Sequence, residues 1–167
     1  ISKNITDDRI MFVMPSDHLI TKTDSLIDAI MTAKEFVSNG NLVTFGVKPT
    51  YPATAYGYIH AKDNFVKKFV EKPEKEIAKK YIAEADYFWN SGMFCMDSKS
   101  FFEELSLYSP DIINQTEKAV NNAEYFSGTS WDHIQIKMDD YKDIENISVD
   151  YAIFEKSKKI SFIPCDL

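Results

Sequence analysis

Glu71 and Lys72 stand side by side at the end of the apolar run Phe69-Val70 and are closed off by Pro73, while Asn90 follows Trp89 and leads into Ser91-Gly92-Met93-Phe94. A carboxylate accepts well from sugar hydroxyls, a lysine is a compact donor to phosphate, and a carboxamide offers both a donor and an acceptor to a diol. Adjacent residues of a strand point to opposite faces, so Glu71 and Lys72 cannot both be solvent-face charges of one ribbon. At least one points into a site or has a partner, unless the strand ends at Glu71. Two strand-like runs that deliver polar groups at their ends suit the edge of an α/β sheet, where ligands bind.

Other positions carry weaker signals. Asp17 follows an apolar run in a Pro-Ser-Asp-His turn, from which a carboxylate can hold Mg²⁺ beside nucleotide phosphates or simply cap the next turn. His18 is neither paired with a nucleophile nor spaced for a metal with His60 or His133, which favours a structural role. Gly57, inside an aromatic strand, either lets a ligand approach the backbone or makes room for a crowded neighbour. Trp89 is an apolar wall or a core residue. Asp150, just after Ser148, complements the positive first turn of a helix or joins a site.

The elements that must position these residues alternate between types. Ile10–Met14, closed by Pro15, reads as a buried parallel strand. Thr23 or Asp24 caps a helix to about Ser38, with Leu26, Ile27, Ile30, Ala33, Phe36 and Val37 inward and Gly40 as its stop. Leu42–Val47 is the next strand, and Tyr56–His60 with Phe65–Lys72 form a hairpin about Lys62-Asp63-Asn64. Glu74–Ala85 is a helix with Ile77, Ala78, Tyr81 and Ile82 inward, and Gly92–Met96 a strand. Helices over about Ser98–Leu107 and Pro110–Tyr125 precede a polar stretch, Ser127–Asn146, that holds at most one short helix. Ser148 caps a helix over Val149–Lys156, and Ile160–Pro164 closes as a strand.

A net charge of −7 excludes a broad nucleic-acid surface. Arg9 is the only arginine, so phosphate must be met by a metal ion or a few placed lysines rather than by guanidinium clamps. The 44% hydrophobic and 27% charged content is that of a soluble globular domain. No apolar run approaches the roughly 20 residues of a membrane helix, and no leader precedes Ile10, so the expectation is a cytoplasmic protein without a membrane partner. Cys95 and Cys165 read as buried strand thiols.

Taken in order, Phe12-Val13-Met14-Pro15-Ser16-Asp17-His18, Thr44-Phe45-Gly46-Val47-Lys48-Pro49-Thr50, Tyr56-Gly57-Tyr58-Ile59, Phe69-Val70-Glu71-Lys72-Pro73, Trp89-Asn90-Ser91-Gly92-Met93-Phe94 and Ser148-Val149-Asp150-Tyr151-Ala152 carry a resemblance. From about Ile10 to Pro164 the chain resembles the mannose-1-phosphate guanylyltransferase family of sugar nucleotidyltransferases. The resemblance implies an α/β, Rossmann-like nucleotidyltransferase fold with a mixed, mainly parallel sheet flanked by helices. It also implies a reaction in which GTP and mannose 1-phosphate give GDP-mannose and pyrophosphate, with Mg²⁺ offsetting charge on the phosphates. The nucleophile, a sugar-phosphate oxygen, is already anionic, so such a site positions and neutralises and needs no general base.

Carried onto this sequence, the resemblance makes Asp17 the Mg²⁺ ligand and catalytic residue. Gly57 becomes a backbone contact to mannose, Glu71 a partner of the sugar hydroxyls, Lys72 of the sugar's phosphate, and Asn90 a second sugar contact. Asp150 is assigned a supporting role in substrate binding. GTP and mannose 1-phosphate are the implied partners, with room for a homo-oligomer. Three departures stand out: the family's glycine-rich loop and its later metal aspartate have no counterpart within residues 1–167, and Ala53-Thr54-Ala55 replaces the usual Glu-Thr-Gly. Residues 1–167 are therefore expected to be a partial catalytic domain with little turnover alone. A related hexose-1-phosphate nucleotidylyltransferase and a non-catalytic nucleotide-sugar sensor are the alternatives.

Overall fold

A computed structural model describes residues 9–129 and 131–166. Their elements are β1 (Ile10–Val13), α1 (Thr23–Val37), β2 (Leu42–Val47), β3 (Tyr58–Lys62), β4 (Phe65–Val70), α2 (Lys75–Ala83), β5 (Tyr87–Asp97), α3 (Ser98–Tyr108), α4 (Pro110–Asn121), β6 (Glu124–Ser127), β7 (Asp132–Gln135), α5 (Met138–Lys142), a π-helical turn (Asp150–Phe154) and β8 (Ile160–Pro164). They divide into two compact units, residues 9–101 with 158–166, and residues 102–157. Among the described residues no helix is long and apolar enough to cross a membrane.

The first unit is built on a six-stranded sheet in the order β1-β5-β2-β8-β4-β3, closed by a further pairing of β3 with β5. Mixed α/β architecture is as the sequence implies, but the hydrogen bonding is less parallel than expected. Strands β1, β2, β3 and β8 run one way, yet β5 lies antiparallel between β1 and β2, so only β2–β8 is a parallel pair among those described. β1 is thus an edge strand paired with β5 alone, and its Ile10 and Val13 are exposed instead of buried. At eleven residues β5 is long enough to serve three neighbours, meeting β3 with its first residues, β1 with its last and β2 on its other side.

Alternation along the strands sorts the two faces. Val43, Phe45, Met93, Cys95 and Ile163 pack with Ala29, Ala33 and Val37 of α1. Trp89, paired with Val47 and therefore on the same face, packs with Ala78, Tyr81 and Ile82 of α2. The opposite face carries Ile59, Ala61 and Phe162, flanked by Val66, Phe69 and Phe88. Two helix positions differ from the sequence pattern: Ile27 and Ile77 are exposed, while Ala29 and Ala78 make the close contacts. Small side chains let these helices approach the sheet. Cys95 and Cys165 are both buried; burial raises both thiols, Cys165 to about 11, so they stay protonated at neutral pH.

The hairpin forms as expected. Asp63 and Asn64 both have left-handed φ, 54° and 62°, which matches the turn to the strand twist. Asn64 Nδ2 donates to Phe162 O at 3.0 Å and the Phe162 amide donates back to Asn64 O at 2.7 Å, tying the turn to β8. In the second unit α4 ends at Asn121 rather than Tyr125, because Glu124–Ser127 pairs with Asp132–Gln135 as a two-stranded ribbon. That ribbon is exposed along most of its length, which is why no apolar alternation announced it.

Candidate active site

β5 is shaped at Asn90-Ser91-Gly92 by a bulge. Asn90 pairs with Gly46 and Phe94 with Thr44, so Ser91, Gly92 and Met93 stand opposite Phe45 alone. The three-residue motif satisfies the groups this irregularity leaves over. Ser91 Oγ donates to Phe45 O at 2.7 Å and accepts from the Met93 amide at 3.2 Å. Gly92 takes φ +67°, which a side chain would disfavour, and its amide donates to Asn90 Oδ1 at 3.1 Å. With the hydroxyl of Thr44 also reaching Oδ1 at 3.5 Å, the Asn90 amide has a fixed acceptor end, and Nδ2 is its donor end.

Gly57 lies against this residue. Its carbonyl accepts from the Asn90 amide at 2.8 Å, and a Cβ added to it would stand 2.9 Å from Glu71 Oε2 and 3.7 Å from Asn90 Cβ. Of the two sequence readings of Gly57, the crowded neighbour is the one the structure shows, and that neighbour is the Glu71 carboxylate. The strand-alternation argument does not reach Lys72, because β4 stops at Val70. Lys72 instead takes a left-handed φ of 38° ahead of buried Pro73, and its Nζ comes to 3.2 Å from Glu71 Oε1. A non-glycine residue held in that conformation is the kind of local strain found at functional sites. Gly57, Glu71, Lys72 and Asn90 are thus brought together, on the sheet face opposite α1 and α2.

Asp17 sits in the exposed turn after β1. Pro15, which opens that turn, lies beside the β5 bulge, its Cγ 3.4 Å from where a Gly92 Cβ would be. Among the described residues no group of three or more His, Cys, Asp or Glu side chains could hold a metal ion. Asp150 opens the π-helical turn of the other unit, half-buried, where the Glu155 amide donates to its carbonyl at 2.9 Å. His18 is exposed in the turn after β1, and Trp89 is packed with α2 and with Tyr51 and Tyr56, at ring separations of 4.8 and 5.3 Å.

Two residues beside Asn90 are not among the candidates read from the sequence. Thr44 is fully buried beside Asn90, and Gly46 faces it across the strands. The clue was a single hydroxyl and a single glycine inside the otherwise apolar run Leu42–Val47. The proline-rich loop before β3 is fixed too: Tyr58 Oη donates to Ala53 O at 3.0 Å, and Ala53 is buried. Ala53 thus fills a packed position where the family pattern has a carboxylate.

The sequence profile of the Nucleotidyl transferase family matches residues 1–135. Mannose-1-phosphate guanylyltransferase of Klebsiella pneumoniae is 40% identical over 160 residues, covering 90% of this chain and 33% of that protein. An Escherichia coli protein of the same name is 36% identical over 168 residues, covering 93% of this chain and 35% of its own length. The chain therefore spans about a third of the length of these curated relatives. In three dimensions it superposes on the crystal structure of mannose-6-phosphate isomerase from Helicobacter pylori with a TM-score of 0.91 and 31% identity, over 99% of this chain and 65% of that one. With the profile spanning most of the sequence and a mixed α/β sheet presenting a carboxylate, a lysine and a carboxamide on one face, this chain belongs to the nucleotidyl transferase family.

Proposed function

We propose that the full-length protein is a mannose-1-phosphate guanylyltransferase, converting GTP and mannose 1-phosphate to GDP-mannose and pyrophosphate, and that this chain supplies its sugar-phosphate pocket. The observation that carries the reading is the convergence of four residues: Lys72 pairs with Glu71, Glu71 lies over Gly57, and Gly57 accepts from the Asn90 amide. Relatives that bear the same name add support. In this mechanism Glu71 and Asn90 orient the sugar ring by its hydroxyls, and Lys72 neutralises and aims the phosphate oxygen at the α-phosphorus. Positioning of an anionic nucleophile is then the main task of these residues.

Mg²⁺ is part of the proposal. A small cation that keeps several waters and leans on substrate phosphates needs only one or two protein carboxylates, which an exposed Asp17 at the end of β1 fits. When bound, the ion would offset charge on the nucleotide phosphates.

The test is a panel of nucleoside triphosphates against hexose 1-phosphates with the full-length protein, reading pyrophosphate release and the nucleotide sugar formed. GDP-mannose as the favoured product is expected. Preference for another pair would move the protein to a related hexose-1-phosphate nucleotidylyltransferase. Tight GDP-mannose binding without turnover would make it a sensor. Including mannose 6-phosphate tests the activity named for the H. pylori structure.

Gly57→Ala is expected to raise KM for mannose 1-phosphate about tenfold, because its Cβ displaces a carboxylate whose charged hydrogen bonds are each worth roughly 1.5–3 kcal/mol. The obstructing atom is the far end of a flexible side chain, so the thermal midpoint should barely change. A normal KM would place the sugar elsewhere.

A further inference from the structure

We propose that the Glu71–Lys72 ion pair is an internal stand-in for the substrate: Lys72 keeps the Glu71 carboxylate engaged until an anionic ligand draws the lysine away, so the site disfavours neutral sugars. The inference rests on the reading that Glu71 receives sugar hydroxyls and Lys72 the phosphate, and it adds how the two are coupled.

The Glu71 carboxylate is engaged without ligand through one oxygen. Oε1 is 3.2 Å from Lys72 Nζ, and Oε2 lies over Gly57, 2.9 Å from the point a Cβ would occupy. Two adjacent residues would diverge in an extended strand, and only the left-handed φ of 38° at Lys72 folds its ammonium back onto its neighbour. The contact is easy to break, since the side chains are 63% and 30% exposed.

A neutral sugar that seeks both oxygens of Glu71 must part the pair and offers Lys72 nothing in return. A sugar phosphate brings its own anion, so the lysine exchanges one negative partner for another and the carboxylate is released to the hydroxyls. Phosphate recognition and hydroxyl recognition become one event. Exposed ion pairs of this kind shift equilibria by about two- to fivefold, which sets the size of the effect.

The experiment measures dissociation constants of the full-length protein for mannose 1-phosphate and for the neutral methyl α-D-mannopyranoside. It compares wild type with Lys72→Gly, which suits a left-handed φ, and Lys72→Met, at low and high salt. Both variants are expected to bind the sugar phosphate about tenfold or more weakly, yet the neutral glycoside about two- to fivefold more tightly than wild type does. Salt should strengthen glycoside binding to wild type by screening the pair and leave the variants unmoved. Glycoside affinity that is unchanged or weaker in both variants overturns the stand-in while leaving the substrate reading intact. Failure of wild type to bind mannose 1-phosphate overturns both.

Discussion

In the full-length protein, Glu71→Gln is expected to lower kcat/KM for mannose 1-phosphate about 10- to 100-fold, the value of one hydrogen bond to a charged group at roughly 1.5–3 kcal/mol. The substitution keeps the side chain's shape, so the space over Gly57 stays filled and β4 and its turn are untouched. What changes is chemistry. A carboxylate accepts two hydroxyl protons, whereas an amide presents one acceptor and one donor, and its nitrogen would face either a sugar hydroxyl hydrogen or the ammonium of Lys72. The loss should fall on the sugar phosphate, with KM for GTP unchanged, because the proposed role of Glu71 is to hold the sugar hydroxyls alone. Melting should also be unaffected, since Glu71 lies past the end of β4 with its side chain 30% exposed. Unchanged kinetics would remove Glu71 from the pocket.

The residue types at this edge were legible from the sequence; their geometry was not. A glutamate, a lysine and an asparagine near breakers announce a polar site, and motif order carries the resemblance from which a substrate is proposed. What the sequence could not supply is the conformation of Lys72, because alternation assumes a strand and the strand had already ended at Val70. Ser91 and Gly92 were likewise readable only as punctuation. In the folded chain they are the reason Asn90 has one orientation, the hydroxyl satisfying Phe45 O and the glycine amide holding Oδ1. Bulges leave no periodic trace, so this function of the motif appears only in three dimensions.

The same limit explains the fold. Leu42–Val47 and the hairpin turn announced themselves, one by a continuous apolar run and the other by Asp63-Asn64. Strand direction did not. The apolar run of β1 reads as a buried parallel strand, but the neighbour that pairs with it is β5, which runs the other way and leaves β1 at the sheet edge. Pairing partners are set by long-range packing, here by an eleven-residue β5 that the sequence suggests only from Gly92 onward. The aromatic residues Tyr87 to Trp89 belong to it because they pair with β3.

Gly46→Ala should act on the fold where Gly57→Ala acts on the ligand, and the contrast separates packing from chemistry at two glycines of one sheet face. A Cβ at Gly46 would stand 2.4 Å from Phe162 Cε2, 2.8 Å from Phe162 Cζ and 2.9 Å from Phe88 Cβ. None of these atoms can step aside cheaply. Phe162 is buried, its ring is packed 4.6 Å from that of Phe88, and its backbone is bonded to β2 and to Asn64. Phe88 Cβ is anchored by the pairing of β5 with β3. Overpacking of this sort costs about 1–3 kcal/mol, which for a domain of this size lowers the thermal midpoint by roughly 2–10 °C. Because Gly46 pairs with Asn90, the strain should also reach the site, raising KM for the sugar phosphate in whatever fraction remains folded. Differential scanning calorimetry beside steady-state kinetics resolves both effects. A variant that melts like wild type would mean that Phe88 and Phe162 are not packed over Gly46, and the floor beneath Asn90 would have to be redrawn.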